Sequence, residues 1–456
     1  MFLDDPIVAI ATPPGLGGLA VVRVSGRGAL AVADAVFRPG RRDGLMPSAA
    51  ASHTVHHGHV VAGGREVDEV LLTVLRGPRT YTREDTVEVG CHGGSHVARM
   101  VLEAFLAAGA RAAGPGEFTR RAFLNGRLDL AQAEAVADLI HARSSRAVHA
   151  ANAQLSGALS RRIEALRESL MHVLAHVEAH VDFPDEDIAP ETGAALARRV
   201  EAALGEAQRL VDSARQGRLL REGARVAIVG APNAGKSSLL NALLGVDRAI
   251  VSDVPGTTRD TVEDMATVAG FPVVLVDTAG LRESEDAIEK EGMRRSREAA
   301  RGADLVLQVV DVTLPPPEDV QLEAGAGVPW LRVANKCDLA EHPGFASDAA
   351  WLRVSCRTGA GLDALRDAMA ARLVGPGAGV GLGAGDEVAV SARHHDALRR
   401  AMESMSQVLE SMRQGQALDL VAADLRVAVQ AVGEVVGKTS TEDLLDRIFS
   451  SFCIGK

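Results

Sequence analysis

The chain has 456 residues, 47% of them hydrophobic and 24% charged, with a formal net charge of −11. That length suggests about two to four domains at roughly 150 residues each, with enough apolar residues for real cores. The acidic balance excludes general binding to nucleic-acid phosphate, although a local basic patch stays possible. The opening MFLDDPIVAI lacks the basic n-region of a signal peptide, and no uncharged apolar run is long enough to span a bilayer. A cytoplasmic protein without membrane insertion is therefore expected. From Asp5 to about Gly116 the pattern is α+β: strands over Ile7–Ile10, Leu19–Val24, Val70–Leu75 and Thr86–Gly90, and helices over Ala29–Phe37 and Ser95–Ala108. The glycine-rich stretch at 13–18 lacks GxxxxGK and a following helix, which argues against a phosphate site there. His53, His56, His57 and His59 lie in a turn-rich segment without cysteine or carboxylate support, so solvated strand and loop histidines are expected rather than metal ligands.

From Arg120 to about Arg215 the composition turns to alanine, leucine, arginine and glutamate with helical periodicity. Leu128, Ala131, Ala135 and Leu139 fall on one face, and so do Leu159, Ile163, Leu166 and Leu170; Val173, Val177 and Val181 continue that helix to Phe183-Pro184. The acid run Asp185-Glu186-Asp187 reads as the solvated start of a new element.

Val226–Val229 then reads as a strand, and GAPNAGKS at 230–237 as a glycine loop opening into the helical Ser238–Leu244. Strand, glycine loop and helix form the context of a phosphate-binding P-loop. Gly230 and Gly235 let backbone N–H groups converge on one anion, Lys236 reaches the β- and γ-phosphates, and the Ser237 hydroxyl holds Mg²⁺. The helix N-terminus adds partial positive charge. Asp277-Thr278-Ala279-Gly280 follows the strand-like Val273–Val276 and would sit by Mg²⁺ and the γ-phosphate. Asn335-Lys336-Cys337-Asp338 follows Trp330–Ala334, where the Asp338 carboxylate can accept from N1–H and the 2-amino group of guanine, which adenine cannot offer. Ser355-Cys356, after Trp351–Val354, supplies backbone N–H donors near guanine O6. Four such loops in this order, each after a strand, identify a GTP-binding domain. Beyond it, GPGAGVGLGAG at 375–385 reads as a flexible linker, and helical periodicity resumes through Ala397, Met402, Met405, Val408 and Leu409 and again over Leu418–Val436. The simplest topology is a helical domain split by an inserted GTP-binding domain. Cys91, Cys337, Cys356 and Cys453 have no metal-ligand spacing, which points to free thiols.

With these residues in place, the chain resembles, over essentially its whole length, the MnmE (TrmE) family of bacterial tRNA modification GTPases. The resemblance is carried by ATPPG at 11–15, GEFTRRAFLNGRLDLAQAEAVADLI at 116–140, VDFPDED at 181–187, GAPNAGKSSLLNAL at 230–243, DVPGTTRD at 253–260, DTAGLRE at 277–283 and FCIGK at 452–456. The P-loop and NKxD segments are shared by many GTPases, whereas GEFTxRAFLN and the terminal FCIGK are specific. The resemblance implies a multidomain α/β protein. An α+β folate-binding-like and dimerising N-terminal domain would span 1–118 and helical-bundle parts 119–215 and 381–456, with a P-loop Ras-like GTPase domain inserted at 216–380.

It also implies site residues. The nucleotide set is Asn233, Ala234, Gly235, Lys236, Ser237, Ser238, Ser252, Asp253, Val254, Pro255, Gly256, Thr257, Thr258, Asp277, Thr278, Ala279, Gly280, Asn335, Lys336, Asp338, Ser355, Cys356 and Arg357. Mg²⁺ would be held by Ser237 and Thr258. A Ras-like enzyme has a water-orienting Gln after DxxG, but here Leu281 follows Gly280. The family pattern passes that role to Glu289, whose plain alternative is a solvated helix glutamate. An arginine finger is replaced by K⁺ bound by Asn233, Ser252, Val254 and Thr257, with Asn233 as a simple turn residue the alternative. Pairing of two GTP-binding domains in a homodimer would close that site, with Na⁺ too small to substitute.

The same resemblance places 5-formyltetrahydrofolate or a related tetrahydrofolate against Arg23, Glu88, Arg127 and Lys456. Arg127 stands where the family carries lysine, which keeps charge but changes its geometry. Cys453 is not a prenylation site, because Gly455 and Lys456 occupy the wrong places. Two alternatives stay open for it: a buried structural thiol among Ile448, Phe449 and Phe452, or a functional thiol at the folate site with Lys456 beside it. The activity implied is addition of an aminomethyl-type or carboxymethylaminomethyl group to C5 of the wobble uridine of certain tRNAs. A flavin- and NADH-dependent, MnmG-like subunit would share the work in a heterotetramer. The alternative is a GTPase switch that docks RNA in ribosome assembly and modifies nothing; an aminomethyltransferase with an idle GTPase would leave the intact nucleotide loops unexplained.

Overall fold

The computed structural model describes residues 5–182, 193–245, 264–268, 270–277, 302–317, 328–345, 350–374, 389–439 and 441–456. The predicted linker at 375–385, the acid run at 185–187 and the Phe183-Pro184 helix stop lie outside these residues. The described chain divides into two units, residues 5–137 with 433–456, and residues 138–432. Among the described residues no helix is long and apolar enough to cross a membrane.

In the first unit, β1 (Ile7–Ile10), β2 (Leu19–Ser25), β3 (Phe37–Pro39), β4 (Thr54–Ala62), β5 (Arg65–Leu75), β6 (Thr86–His92) and β7 (Arg111–Ala112) form one sheet in the order β3-β4-β5-β6-β2-β1-β7. Alternation decides its two faces. Ala20, Val22 and Val24 of β2, Val70, Leu72 and Val74 of β5, and Val87, Val89 and Cys91 of β6 share a core with Ala33 and Val36 of α1 (Ala29–Val36) and Val101 and Phe105 of α2 (Ser95–Ala107). Each such fully buried valine or leucine contributes roughly 1.5–3 kcal/mol. The intervening residues, Arg23 and Glu88 among them, therefore face away from α1 and α2.

The turn-rich description of residues 53–59 needs correction. His56, His57 and His59 lie on β4, which pairs in antiparallel fashion with β5. Gly63 and Gly64, at φ 56° and 76°, make the two-residue connection, since such hairpin turns need positive φ at both central positions. Carboxylates absent from the histidine segment come from the neighbouring strand: His57 bonds Glu69 at 2.6 Å and His59 bonds Glu66 at 2.9 Å.

α3 (Glu117–Leu124) follows β7, and α4 (Leu130–His141) follows α3. Leu130 and Ala133 at the start of α4 pack with Leu445, Phe449 and Phe452, which brings the C-terminal segment into this unit. Arg121 of α3 is 1% exposed. Its guanidinium donates to the Asp5 carbonyl at 2.9 Å, to Asp5 Oδ1 at 3.1 Å, to Glu117 Oε1 at 3.2 Å and to Glu84 Oε1 at 3.3 Å. Arg111 binds the same acids, at 2.6 Å to Asp5 Oδ2 and 2.6 Å to Glu117 Oε1. The second arginine of the GEFTRRAFLN segment is thus part of an ionic core, whereas Arg120 pairs with the exposed Asp446.

The second unit begins with α5 (Ser145–Leu155) and α6 (Ala158–Asp182), whose Leu159, Ile163, Leu166, Leu170, Val173 and Val177 are buried at the expected spacing of three and four. α7 (Gly193–Glu222) lies along α6 and along a helix from the other side of the nucleotide domain, Ala392–Arg413. α7 crosses position 216 without a break and ends at Gly223, φ 82°. The next residues are β8 (Ala224–Val229) and α8 (Lys236–Leu244). β9 (Asp264–Val268), β10 (Phe271–Asp277), β11 (Leu305–Asp311), β12 (Trp330–Asn335) and β13 (Trp351–Val354) complete a sheet ordered β13-β12-β11-β8-β10-β9. All its pairings are parallel except β9 with β10. β8 and β11 read as continuous apolar runs because both faces are covered. α9 (Leu362–Val374) is followed by the Ala392–Arg413 helix, here α10, then α11 (Leu418–Val436) and α12 (Glu442–Phe449), the last in the first unit.

Candidate functional site

The nucleotide loops gather at the carboxyl ends of the parallel strands, where open α/β sheets bind ligands. The P-loop leaves β8, and Gly235, at φ 92°, turns the chain into α8. Gly230 lies so close to β11 that a Cβ there would come 2.1 Å from the Val309 carbonyl oxygen. A Cβ on Gly235 would stand 2.2 Å from Asn335 Nδ2. Both glycines are thus required by neighbouring atoms. Lys236 is the first residue of α8, and its Nζ donates to the Gly230 and Ala231 carbonyls, each at 2.9 Å, across the mouth of the loop. Ser237 and Ser238 are exposed in the first helical turn, where Ser237 fits a Mg²⁺ ligand. Asn233 has an exposed side chain and φ 63°, a left-handed conformation that asparagine tolerates better than most residues.

Asn335 ends β12 almost fully buried, and its amide donates to the Ala234 carbonyl at 3.1 Å, fastening the guanine loop to the P-loop. Asp338 is exposed. The Ser355 hydroxyl donates to its Oδ1 at 2.7 Å, which holds the carboxyl below its ordinary pKa and ionised for an N–H donor. Ser355 itself is buried, and its N–H bonds the Ala360 carbonyl at 2.9 Å. Cys356 N–H points to Asn335 Oδ1 at 3.4 Å, while burial pushes the Cys356 thiol up and unreactive. Arg357 is exposed next to them. The structure therefore brings together Asn233, Ala234, Gly235, Lys236, Ser237, Ser238, Asn335, Lys336, Asp338, Ser355, Cys356 and Arg357. Asp277 is described only as the last residue of β10. Ser252, Asp253, Val254, Pro255, Gly256, Thr257, Thr258, Thr278, Ala279, Gly280 and Glu289 lie outside the described residues.

A second constellation occupies the face of the first unit's sheet opposite α1 and α2, where Phe118 of α3 packs on Ile7 and Ala9. Arg23 and Glu88 are directly opposite on β2 and β6, and Arg23 Nε donates to Glu88 Oε1 at 2.8 Å. The Arg23 guanidinium lies 5.9 Å from the Tyr81 ring centre and 5.7 Å from that of Phe118. Arg127 stacks on the same tyrosine at 4.8 Å. A planar guanidinium suits that stacking better than a compact ammonium, so the departure from lysine has a local geometric use. The C-terminal tail reaches this cluster. Ile454 bridges Pro115, and Arg23 Nη1 donates to the Gly455 carbonyl at 3.4 Å. Gly455, at φ 96°, would carry a Cβ 2.5 Å from the Ile10 carbonyl oxygen, so the glycine of FCIGK is a packing requirement. Lys456, half-buried, follows it. Two cations, an aromatic ring and a carboxylate acceptor make a donor set that fits a pterin with an anionic tail.

Cys453 is exposed, which overturns its reading as a buried structural thiol. Phe449 and Phe452 turn into the cluster with Leu130 and Leu445, while Cys453, next in the chain, is exposed. Tyr81, Phe118 and Asp311 were not singled out from the sequence. Tyr81 is the only tyrosine of the chain, a signal that was there to notice.

A phosphate loop after β8, a guanine-reading loop after β12 and its serine partner after β13 define a P-loop GTPase, an enzyme that hydrolyses GTP. The family model for the MnmE helical domain matches residues 130–453, and the one for the GTP-binding protein TrmE N-terminus matches residues 6–127. The tRNA modification GTPase MnmE of Chloroflexus aurantiacus is 49% identical over the whole of both chains. That of Symbiobacterium thermophilum is 48% identical over 99% of this chain and all of its own. A solved Era structure from Aquifex aeolicus, bound to GDP and aluminium fluoride, is 27% identical over 32% of this chain and 55% of its own, at a TM-score of 0.25 too low to speak for the fold. The chain belongs to the MnmE family of tRNA modification GTPases.

Proposed function

We propose that this chain is a K⁺-activated GTPase acting on tRNA. With a flavin- and NADH-dependent partner, it adds an aminomethyl or carboxymethylaminomethyl group at C5 of the wobble uridine, position 34. The domain division at 118, 215 and 380, the homodimer and the heterotetramer with that partner belong to the same proposal. The observation that carries it is the Arg23–Glu88–Tyr81–Arg127 cluster with the C-terminal tail folded onto it, on the chain that also holds the nucleotide loops. An RNA-docking switch has no use for such a cluster. A tetrahydrofolate bound there would supply the one-carbon unit. Arg23, Arg127 and Lys456 would hold its anionic tail, Glu88 would accept from the donor edge of the pterin, and Tyr81 would offer a flat apolar wall. Burial raises the Tyr81 hydroxyl pKa, so that wall stays uncharged.

GTP hydrolysis would use Lys236 on the β- and γ-phosphates, Ser237 and Thr258 on Mg²⁺, and Glu289 to orient water. K⁺ on Asn233, Ser252, Val254 and Thr257 would replace an arginine finger. The test is titration with 5-formyltetrahydrofolate, with Arg23→Ala alongside. Losing a charged partner should weaken binding by about 10–100-fold. tRNA from cells carrying only that variant should lack the C5 group, with GTP hydrolysis retained. Folate affinity equal to wild type together with normally modified tRNA would contradict the assignment.

A further inference from the structure

Asp311 is the last residue of β11 and lies opposite Asn335 in the parallel register with β12. The next residue after Asn335, Lys336, adopts φ 67°, which turns its long side chain back over the strand ends. Its Nζ meets Asp311 Oδ2 at 2.6 Å and the Asn233 carbonyl of the P-loop at 3.1 Å. The other carboxylate oxygen of Asp311 is braced in turn: Thr313 donates to Oδ1 from its hydroxyl at 2.7 Å and from its N–H at 3.0 Å. Burial alone would raise this carboxyl, but the bonds from Lys336 and Thr313 outweigh it and hold it ionised.

A lysine ammonium on a flexible four-carbon stem has many rotamers, and fixing it needs an acceptor that is itself fixed. Asp311 is such an acceptor. The chain of contacts Thr313–Asp311–Lys336–Asn233 ties three loops at the carboxyl ends of central strands: the one after β11, the guanine loop and the phosphate loop. We propose that Asp311 is a positioning residue for guanine-nucleotide binding, acting through Lys336 to set the guanine loop and the P-loop as one unit. This rests on the GTP site itself and on neither K⁺ nor folate. A merely local ion pair would stabilise the domain without linking the two loops, and the two cases differ in coupling.

The experiment is a double-mutant cycle on the full chain with Asp311→Ala, Lys336→Ala and the pair, reading GDP affinity and the kcat and KM of GTP hydrolysis. Asp311→Ala should raise the GDP Kd and the GTP KM by about 10–100-fold, the cost of removing a charge-assisted bond. kcat at saturating GTP should stay within about threefold, since uniform binding is what is lost. Asp311→Asn, whose amide oxygen still accepts from the ammonium, should recover part of the affinity and guards against misfolding of the alanine variant. The pair should bind GDP no more weakly than Lys336→Ala alone. Losses that multiply in the pair, or wild-type GDP affinity in Asp311→Ala, would overturn the inference. A wild-type protein that fails to bind GDP would overturn the nucleotide site and this inference with it, and is told apart because the single variants then add nothing.

Discussion

Lys236→Ala should lower GTP turnover by about 10²–10³-fold, the cost of removing one preorganised positive donor from a transition-state site. Lys236 is the first residue of α8, and its ammonium is held at the P-loop by the Gly230 and Ala231 carbonyls. Single-turnover hydrolysis with saturating GTP reads this directly. Gly235→Ala tests the cradle rather than the charge. Its Cβ would meet the Asn335 amide at 2.2 Å while the backbone stays at φ 92°, which forces the guanine loop away from the P-loop. GDP titration should show it as a loss of affinity. A Gly235→Ala protein that binds GDP like wild type would contradict the geometry.

The second large effect is on stability. Arg121→Met should destabilise the first unit by about 3–5 kcal/mol, because it removes the buried cation shared by Asp5, Glu84 and Glu117 and leaves Arg111 alone to face Asp5 and Glu117. Hydrogen exchange of amides in β1 and β2 follows that unit, whereas both tryptophans, Trp330 and Trp351, report only on the other. The same cluster sets an acid limit. Burial opposes ionisation of Glu117, but bonds from Arg111 and the Gly114 N–H prevail and hold its carboxyl below the usual range. The Arg111 bond, against a smaller burial penalty, lowers Asp5 too. A depressed folded-state pKa contributes stability that is present above the unfolded value, about 4.3 for Glu, and lost as pH falls through the folded one. Stability of this unit should therefore fall below about pH 4, and Glu117→Gln should flatten that slope. A pH-independent melt in that range would count against the ionic core.

How far the sequence spoke for itself differs from place to place. The P-loop, NKxD and Ser355 loops were legible because their chemistry fixes residue type and spacing together, and strands of a covered parallel sheet read as apolar runs. The face of α6 was legible because Leu159 to Val177 keep one period over nearly the whole helix. β4 was missed because histidines and a glycine hide its alternation, although Gly63-Gly64 between β4 and β5 carried the hairpin signal. Arg121 gives no sign of burial in a sequence, since its acids come from three separate segments, at positions 5, 84 and 117. Of the two alternatives open for Cys453, burial is suggested by its apolar sequence neighbours, but the thiol is exposed although Phe452 beside it is buried. Arg23, Glu88, Arg127 and Lys456 were singled out through family resemblance alone; the register of β2 with β6 places Arg23 beside Glu88, and the path of the tail brings Gly455 to Arg23.

Hydrolysis in KCl and in NaCl at matched ionic strength, with Asn233→Gly alongside, is the most direct test of the K⁺-activated mechanism. Glycine removes the side-chain ligand and relieves the left-handed backbone at φ 63°, so the variant is not expected to disturb the loop. A cation taking the place of an arginine finger, a group worth 10³–10⁵ in rate, should give at least about a tenfold K⁺-specific rate, lost in the variant while GDP affinity is kept. Equal rates in the two salts would mean that another positive group does this work, and that Asn233 is a turn residue.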